Sequence, residues 1–236
     1  MDPSDRIFVA LDTPDLDKAL ALAEGLRGLV GGVKLGKEFF TAQGPAGVKA
    51  VSALGLPVFL DLKFHDVPAT VAKAVKSMLP LKPFMLDVHA SGGETMMRAA
   101  VDAVGNAPGD SKDRPLVLAV TVLTSLGDDD LAAIGINGTV EKQVLRLAQM
   151  AKDSGLDGVV CSALEAEALR AAMGPDFKLV TPGIRPDWAA ADDQKRIVTP
   201  SEAIKNGADY LVIGRPITET QDPADAARRI ADEIDR

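Results

Sequence analysis

Eight short apolar segments, each followed by a stretch of helical composition, constrain the fold of this chain more than any other feature. Their hydrophobicity is continuous rather than alternating, as in parallel strands that are covered on both faces. The predicted strands are Ile7–Leu11, Gly32–Leu35, Pro57–Leu62, Phe84–Val88, Leu116–Val122, Gly158–Cys161, Lys178–Val180 and Tyr210–Ile213. Eight strands that alternate with helices indicate an α/β chain folded as a (β/α)8 TIM barrel, in a single domain over residues 1–236.

Amphipathic, Ala- and Leu-rich stretches fill the intervals between these strands. An open doubly wound sheet is the rival fold, but it usually has fewer strands, and no Gly-x-Gly-x-x-Gly follows the first strand. Thr13-Pro14, Thr199-Pro200 and Asp222-Pro223 have the pattern of helix starts, a capping residue before proline. Helices are predicted over Asp15–Arg27, Glu38–Leu54, Ala69–Leu79, Glu94–Val104, Val140–Ser154, Ala163–Met173, Ser201–Asn206 and Asp222–Ile234.

Length and charge exclude several classes of function. The 236 residues suit one barrel, which typically needs about 250. A net charge of −8 argues against a nucleic-acid or anionic-membrane surface. The N-terminus has no signal pattern, and no apolar run approaches the roughly 18 residues of a membrane span. The one cysteine, Cys161, is predicted to be a buried core thiol, which fits a reducing cytoplasm.

Charged residues recur where the predicted strands end, on the face where barrels build active sites. Asp61 and Lys63 are two residues apart and should share one face of their strand. Lys34 lies on the adjacent strand, about 4.8 Å away, and Asp66 follows in the loop. Taken singly, Asp66 could be a helix cap and Asp61–Lys63 a structural ion pair. Together they predict an alternating array of Lys34, Asp61, Lys63 and Asp66.

Such an array has a chemical consequence for Lys63. A lysine flanked by carboxylates keeps its proton, because opposite charges favour the charged form. Lys63 is therefore predicted to be an ammonium acid or a cationic stabiliser, since a Schiff-base nucleophile needs a neutral amine. The pattern favours a reaction that develops a carbanion and then needs a proton.

Two glycine–arginine segments predict a phosphate site. Gly183-Ile-Arg185 and Gly214-Arg215 follow the seventh and eighth strands, where barrels often bind phosphate. Glycine lets backbone N–H groups approach an anion, and arginine binds it with two parallel hydrogen bonds. Two irregular stretches, 125–138 and 182–197, follow the fifth and seventh strands and are candidate lids over a ligand.

The segment Asp61-Leu-Lys-Phe-His-Asp-Val-Pro68 resembles the Asp-x-Lys-x-x-Asp signature of the orotidine 5′-phosphate decarboxylase family. The resemblance covers nearly the whole chain, in the family's order, and is closest to the bacterial form. It includes Phe8-Val-Ala-Leu-Asp12, Val33-Lys-Leu-Gly36, Val88-His-Ala-Ser-Gly-Gly93, Val120-Thr-Val-Leu-Thr-Ser125, Thr181-Pro-Gly-Ile-Arg185 and Ile213-Gly-Arg-Pro216.

This resemblance implies decarboxylation of orotidine 5′-monophosphate to uridine 5′-monophosphate in pyrimidine biosynthesis, without metal, cofactor or covalent intermediate. Lys63 would protonate the carbon that loses CO₂. Asp61 and Asp66 would flank it, and Asp66 would come from the partner subunit of a homodimer. The implied substrate-binding residues are Asp12 and Lys34 at the ribose, Thr124 near the pyrimidine, Arg185, Gln194, Gly214 and Arg215 at the phosphate and the closing loop, and also Pro182.

Two alternatives remain open at this stage. One is a Mg²⁺-dependent sugar-phosphate decarboxylase of the same superfamily, such as a ketogulonate-phosphate decarboxylase. Those enzymes resemble the chain in the Asp-x-Lys-x-x-Asp segment but usually carry Glu at the position of Lys34. The other is a non-catalytic barrel that binds a phosphate ligand, which would gain little from burying four charges. His65 and His89 have no partner at metal-ligand spacing, and His89 is expected only to hydrogen-bond within the barrel mouth.

Overall fold

The computed structural model describes residues 1–105, 114–189 and 198–235. Its centre is a closed barrel of parallel strands in chain order, in which β8 pairs with β1. The expected (β/α)8 barrel is thereby confirmed. The strands are β1 Ile7–Ala10, β2 Gly32–Gly36, β3 Val58–Phe64, β4 Met85–His89, β5 Leu116–Val120, β6 Gly158–Val160, β7 Lys178–Thr181 and β8 Tyr210–Ile213.

Helices pack around the outside of the barrel. Within the described ranges they are α1 Leu16–Gly25, α2 Lys37–Ser52, α3 Pro68–Met78, α4 Glu94–Gly105, α5 Asp128–Ala133, α6 Val140–Asp153, α7 Ala166–Met173, α8 Pro200–Lys205, α9 Arg215–Thr218 and α10 Pro223–Ile234. None of the helices in these ranges is long and apolar enough to cross a membrane.

Helix boundaries follow the capping side chains. Thr199 and Asp222 cap α8 and α10 as predicted, each accepting a backbone N–H of the first turn. The start predicted at Thr13-Pro14 is wrong. Asp15 caps α1 by accepting the Lys18 N–H at 3.1 Å, so the helix begins after the proline.

Two further predictions of local structure need correction. Helix α2 was expected to be continuous, but it breaks at Gly44. This glycine has a φ of 58° and directly precedes Pro45. Proline removes a backbone donor and clashes with the preceding turn, which interrupts the helix. The stretch 125–138 was expected to be irregular but contains α5, which opens with the carboxylates Asp128, Asp129 and Asp130. Negative charge is favourable at a helix N-terminus.

Apolar side chains fill both the inside of the barrel and the layer between strands and helices. Cys161 lies in the outer layer, buried as predicted. The barrel interior is filled by apolar residues from every strand except β2, which are Phe8, Ala10, Phe59, Met85, Leu118, Val120, Val160, Val180, Tyr210 and Val212. This packed interior makes the barrel a rigid support for side chains that project from its C-terminal rim.

Candidate active site

A chain of alternating charges lies at the C-terminal ends of the first three strands. The Lys34 ammonium is 3.0 Å from Asp12 Oδ1 and 3.3 Å from Asp61 Oδ2. The other oxygen of Asp61 contacts the Lys63 Nζ. Lys34 and Asp61 are only 9% and 8% exposed. The fold thus brings together three of the four members of the predicted array and adds Asp12.

The position of these groups follows from strand pairing. Lys34 on β2 is in register with Ala10 on β1, so Asp12, just beyond β1, reaches its ammonium. Gly36 on β2 pairs with Asp61 on β3. A Cβ at position 36 would be only 3.0 Å from the Lys34 Nζ, so glycine leaves room for the ion pairs.

The cluster keeps the buried Lys34 and Asp61 ionised. Burial alone lowers the pKa of Lys34, but the nearby carboxylates of Asp61 and Asp12 outweigh it and raise the pKa. Burial alone raises the pKa of Asp61. The Lys34 charge, a hydrogen bond with Asp87 and the charge of Lys63 reverse that effect and hold the Asp61 pKa well below its usual range. At neutral pH the site therefore contains a buried carboxylate between two lysines.

Lys63 occupies an irregularity in β3. Leu60 pairs with Leu86 and Phe64 with Val88, so residues 61–63 of β3 lie opposite Asp87 alone. Lys63 has a φ of 51°, in the left-handed region that few residues other than glycine adopt. Regular alternation, from which Asp61 and Lys63 were expected to share a face, does not hold here. The bulged backbone brings the two side chains together instead.

Asp87 falls within the predicted strand Phe84–Val88 and was assigned no role in the site. It is fully buried in β4, and its Oδ1 accepts the Lys63 backbone N–H at 2.8 Å. A carboxyl inside the apolar run Met85–Val88 was the only available signal. Its partner could not be inferred, because the register between β3 and β4 shifts at this point.

Asp66 lies outside this cluster in the described part of the chain. Its side chain is exposed, and its Oδ1 accepts the neighbouring Val67 N–H at 2.6 Å. Helix α3 begins at Pro68, and its capping position, Val67, makes no side-chain capping bond. Asp66 therefore neither pairs with Lys63 of its own chain nor caps the helix by the usual N2 or N3 bond.

The predicted phosphate and base residues lie beyond the later strands of the same rim. Arg185 is buried after β7, and its Nη1 donates to the Ile184 carbonyl at 3.2 Å. Arg215 begins α9 directly after β8. Gly214 faces the site, since a Cβ there would lie 4.0 Å from Asp12 Oδ2. Thr124 and Pro182 are partly buried after β5 and β7. Gln194 lies outside the described residues.

The two histidines stack on each other beside Lys63. Their ring centroids are 5.4 Å apart, and the planes are inclined by 25°. His89 Nδ1 is 3.1 Å from the Ser91 hydroxyl, so His89 does hydrogen-bond within the mouth as expected. Burial, with the charges of His65, Lys63 and Lys37, lowers the pKa of His89 to about 4. At neutral pH the His89 ring is uncharged.

A separate cavity of about 1520 Å³ opens at the other end of the barrel. It is lined by residues at or before the beginnings of strands, including Phe84, Leu116, Lys178 and Tyr210. None of the predicted site residues that the structure describes lines it. Barrel enzymes carry their chemistry at the C-terminal ends of the strands, so the ionic cluster rather than this cavity is the candidate active site.

Comparison with known proteins identifies the family of this chain. A sequence model of the orotidine 5′-phosphate decarboxylase / HUMPS family matches residues 5–230. The orotidine 5′-phosphate decarboxylase of Paramagnetospirillum magneticum is 56% identical over 235 residues, covering 97% of each chain. That of Rhodospirillum rubrum is also 56% identical, covering 97% of this chain and 93% of its own. The crystal structure of the Lactobacillus acidophilus orotidine 5′-phosphate decarboxylase superposes with a TM-score of 0.86 at 38% identity, over 98% of this chain and 99% of that one. The chain is an enzyme that belongs to the orotidine 5′-phosphate decarboxylase / HUMPS family.

Proposed function

We propose that this enzyme converts orotidine 5′-monophosphate to uridine 5′-monophosphate and CO₂ in pyrimidine biosynthesis, with Lys63 as the proton donor to C6. The observation that carries the proposal is the position of Lys63 at the barrel mouth, against the buried Asp61 carboxylate. Relatives at 56% identity over nearly the whole chain carry the name of this activity.

The proposed chemistry requires a cation beside the reacting carbon. When the bond from C6 to the carboxylate breaks, its electron pair stays on C6 as a carbanion. An ammonium already in place stabilises that charge without reorganising solvent. The proton then moves from Lys63 Nζ to C6 and forms the C–H bond of the product. Asp61, ion-paired to both lysines, keeps the Lys63 side chain aimed at this position.

Substrate binding would use the rest of the rim. Asp12 and Lys34, joined at 3.0 Å, are proposed to hold the ribose hydroxyls. Arg185 and Arg215, with the adjacent glycines, are proposed to bind the phosphate. Thr124 and Pro182 would contact the base, and Gln194 the phosphate and the closing loop. Binding energy from the distant phosphate then helps to hold the base against Lys63.

We further propose a homodimer in which Asp66 of each chain completes the site of the other. Asp66 is exposed and unattached to Lys63 of its own chain. The adjacent Val67 is 62% exposed, and Leu123, beyond β5 on the same rim, is 39% exposed. Apolar side chains at this rim beside an outward-facing carboxylate suit a contact between two copies.

The cytoplasmic location stays a prediction that rests on the single buried thiol of Cys161.

Mixing two inactive variants tests the shared site. Asp66→Asn and Lys63→Ala should each be nearly inactive alone. If each site of a twofold dimer takes residues from both chains, mixing equal amounts of the two variants and letting the chains exchange places about half of the chains in heterodimers. Each heterodimer has one intact site, so the mixture should regain about a quarter of wild-type turnover. Turnover is followed by ultraviolet absorbance. In the control mixture, Asp225→Asn replaces Asp66→Asn. Asp225 is an exposed carboxylate of α10, so this variant should be fully active alone. No recovery in a mixture whose exchange is verified by mass would rule out the shared site.

Turnover of orotidine 5′-monophosphate with and without EDTA tests the function itself. We expect the same rate in both, because an ammonium lies between the carboxylates of Asp12 and Asp61. Decarboxylation of a sugar phosphate with Mg²⁺, without turnover of the nucleotide, would instead support a Mg²⁺-dependent sugar-phosphate decarboxylase. Binding of phosphate ligands without turnover of either substrate would support the non-catalytic barrel.

A further inference from the structure

Asp87 places a second carboxyl group against the catalytic cluster. Its side chain is fully buried in the barrel wall, and Oδ1 accepts the Lys63 backbone N–H at 2.8 Å. Among the described residues, no N–H or O–H donor reaches the buried Oδ2. Asp61 is the carboxyl group that acts on Asp87 from β3, where residues 61–63 lie opposite Asp87 in the bulge.

Two buried carboxyl groups that interact on facing strands are not both ionised, so one of them carries a proton. Asp61 is the ionised member, since its oxygens contact the ammonium groups of Lys34 and Lys63. The proton therefore belongs on Asp87. Burial, together with the charge and hydrogen bond of Asp61, raises the pKa of Asp87 well above its usual value. A neutral Asp87 donates from Oδ2 to Asp61, which also satisfies the otherwise unpaired oxygen.

We propose that Asp87 is a positioning residue that acts as a neutral acid, joining the Lys63 backbone to the Asp61 carboxylate by two hydrogen bonds. The role in catalysis rests on the function proposed above. Lys63 has a left-handed backbone in a bulge, a conformation that persists only when its surroundings hold it. Asp87 supplies one such restraint, and through Asp61 it also fixes the partner of the Lys63 ammonium.

The charges that face Asp87 come from one side of the barrel wall. Asp61 and Lys63 approach from β3, and Lys34 lies behind Asp61. On its own strand the next titratable group is His89. From β5 the registered neighbour is Leu118, which is apolar. Asparagine can reproduce both hydrogen bonds of the neutral acid, with its oxygen toward the Lys63 N–H and its amide N–H toward Asp61.

Three variants test the role in catalysis. Asp87→Asn should keep kcat within about threefold of wild type, whereas Asp87→Ala should lose about 100-fold or more in kcat with a smaller change in KM, because a misplaced lysine slows the chemical step. Thr121→Val is the matched control. Thr121 is also buried, at the end of β5, and its hydroxyl donates to the Val160 carbonyl at 3.1 Å, away from the ionic cluster. It should lose stability but little kcat.

Two kinetic results would overturn the proposal. The first is an Asp87→Ala variant that keeps as much kcat as Thr121→Val. The second is an Asp87→Asn variant that falls as far as Asp87→Ala, which would mean that the reaction needs an ionised Asp87.

The melting temperature against pH tests the proton on Asp87 without any substrate. Above its ordinary pKa of about 3.9 the carboxyl ionises in the unfolded chain but not in the folded protein. Wild-type stability should therefore fall relative to Asp87→Asn as the pH rises from 4 to 8. A constant difference would refute the neutral acid. Absence of turnover in the wild type would overturn the proposed function alone, since the pH dependence reads Asp87 independently.

Discussion

The Lys63→Ala variant is expected to fold normally and to lose about 10⁴-fold or more in kcat, because one change removes both the proposed proton donor and the charge proposed to stabilise the carbanion. Stability should change little, since Asp61 keeps its 3.3 Å ion pair with Lys34. Steady-state turnover of orotidine 5′-monophosphate measures the first effect, and thermal unfolding measures the second.

Lys82→Ala is the matched control for this experiment. Lys82 has a φ of 50°, nearly the same as Lys63, but it is exposed and follows the short turn Leu79–Leu81 at the other end of the barrel. Both changes remove a lysine from the left-handed region, so they share any effect on the backbone. A Lys63→Ala enzyme as active as Lys82→Ala would show that Lys63 is not the acid.

The Lys34→Met variant is expected to lose both stability and turnover. Removing one member of a buried ion pair leaves its partner without compensation and typically costs about 3–5 kcal/mol. We expect the lower end of that range, because the Asp12 side chain is 56% exposed and can turn to water, and Asp61 still contacts Lys63. Chemical denaturation measures the free energy of unfolding. Turnover should fall about 100-fold or more, since Asp61 is no longer held in place.

Lys178→Met provides the comparison for a weaker ion pair. Lys178 Nζ lies 3.9 Å from Asp209 Oδ1, and both side chains are partly exposed. Such pairs contribute about 0–1 kcal/mol, so this variant should stay close to wild type. Adding Asp61→Asn to Lys34→Met should recover part of the lost stability, because it removes the buried carboxylate that has lost one of its two lysine partners. Equal losses in the two lysine variants would contradict the inferred importance of burial.

Local patterns were sufficient for the barrel because its strands are continuous apolar runs. The prediction for β8, Tyr210–Ile213, matches the structure at both ends. Strand β3 was predicted to stop at Leu62 but continues to Phe64, since pairing with Val88 resumes after the bulge. Helix α5 was missed because the stretch 125–138, with its three adjacent aspartates, was interpreted as irregular.

The site was predictable where it depends on neighbouring strands. Lys34 and Asp61 meet because β2 and β3 are adjacent, which chain order alone implies. The role of Asp87 depends on register between β3 and β4, a property of two distant segments that no local rule contains. The place proposed for Asp66 depends on a second chain, which the periodicity of one sequence does not describe.

The shifted register of β3 bears on protein design. The Lys63 side chain is oriented by the backbone bulge, by the left-handed conformation of Lys63 and by the hydrogen bond to Asp87. The signature Asp-x-Lys-x-x-Asp alone therefore does not specify where the lysine points. In a barrel with regular pairing between its third and fourth strands, the same residues would direct the lysine elsewhere. A design that grafts this site would have to reproduce the register shift between the two strands and place an acid or amide on the fourth strand. The smallest structural unit to graft is therefore a pair of strands.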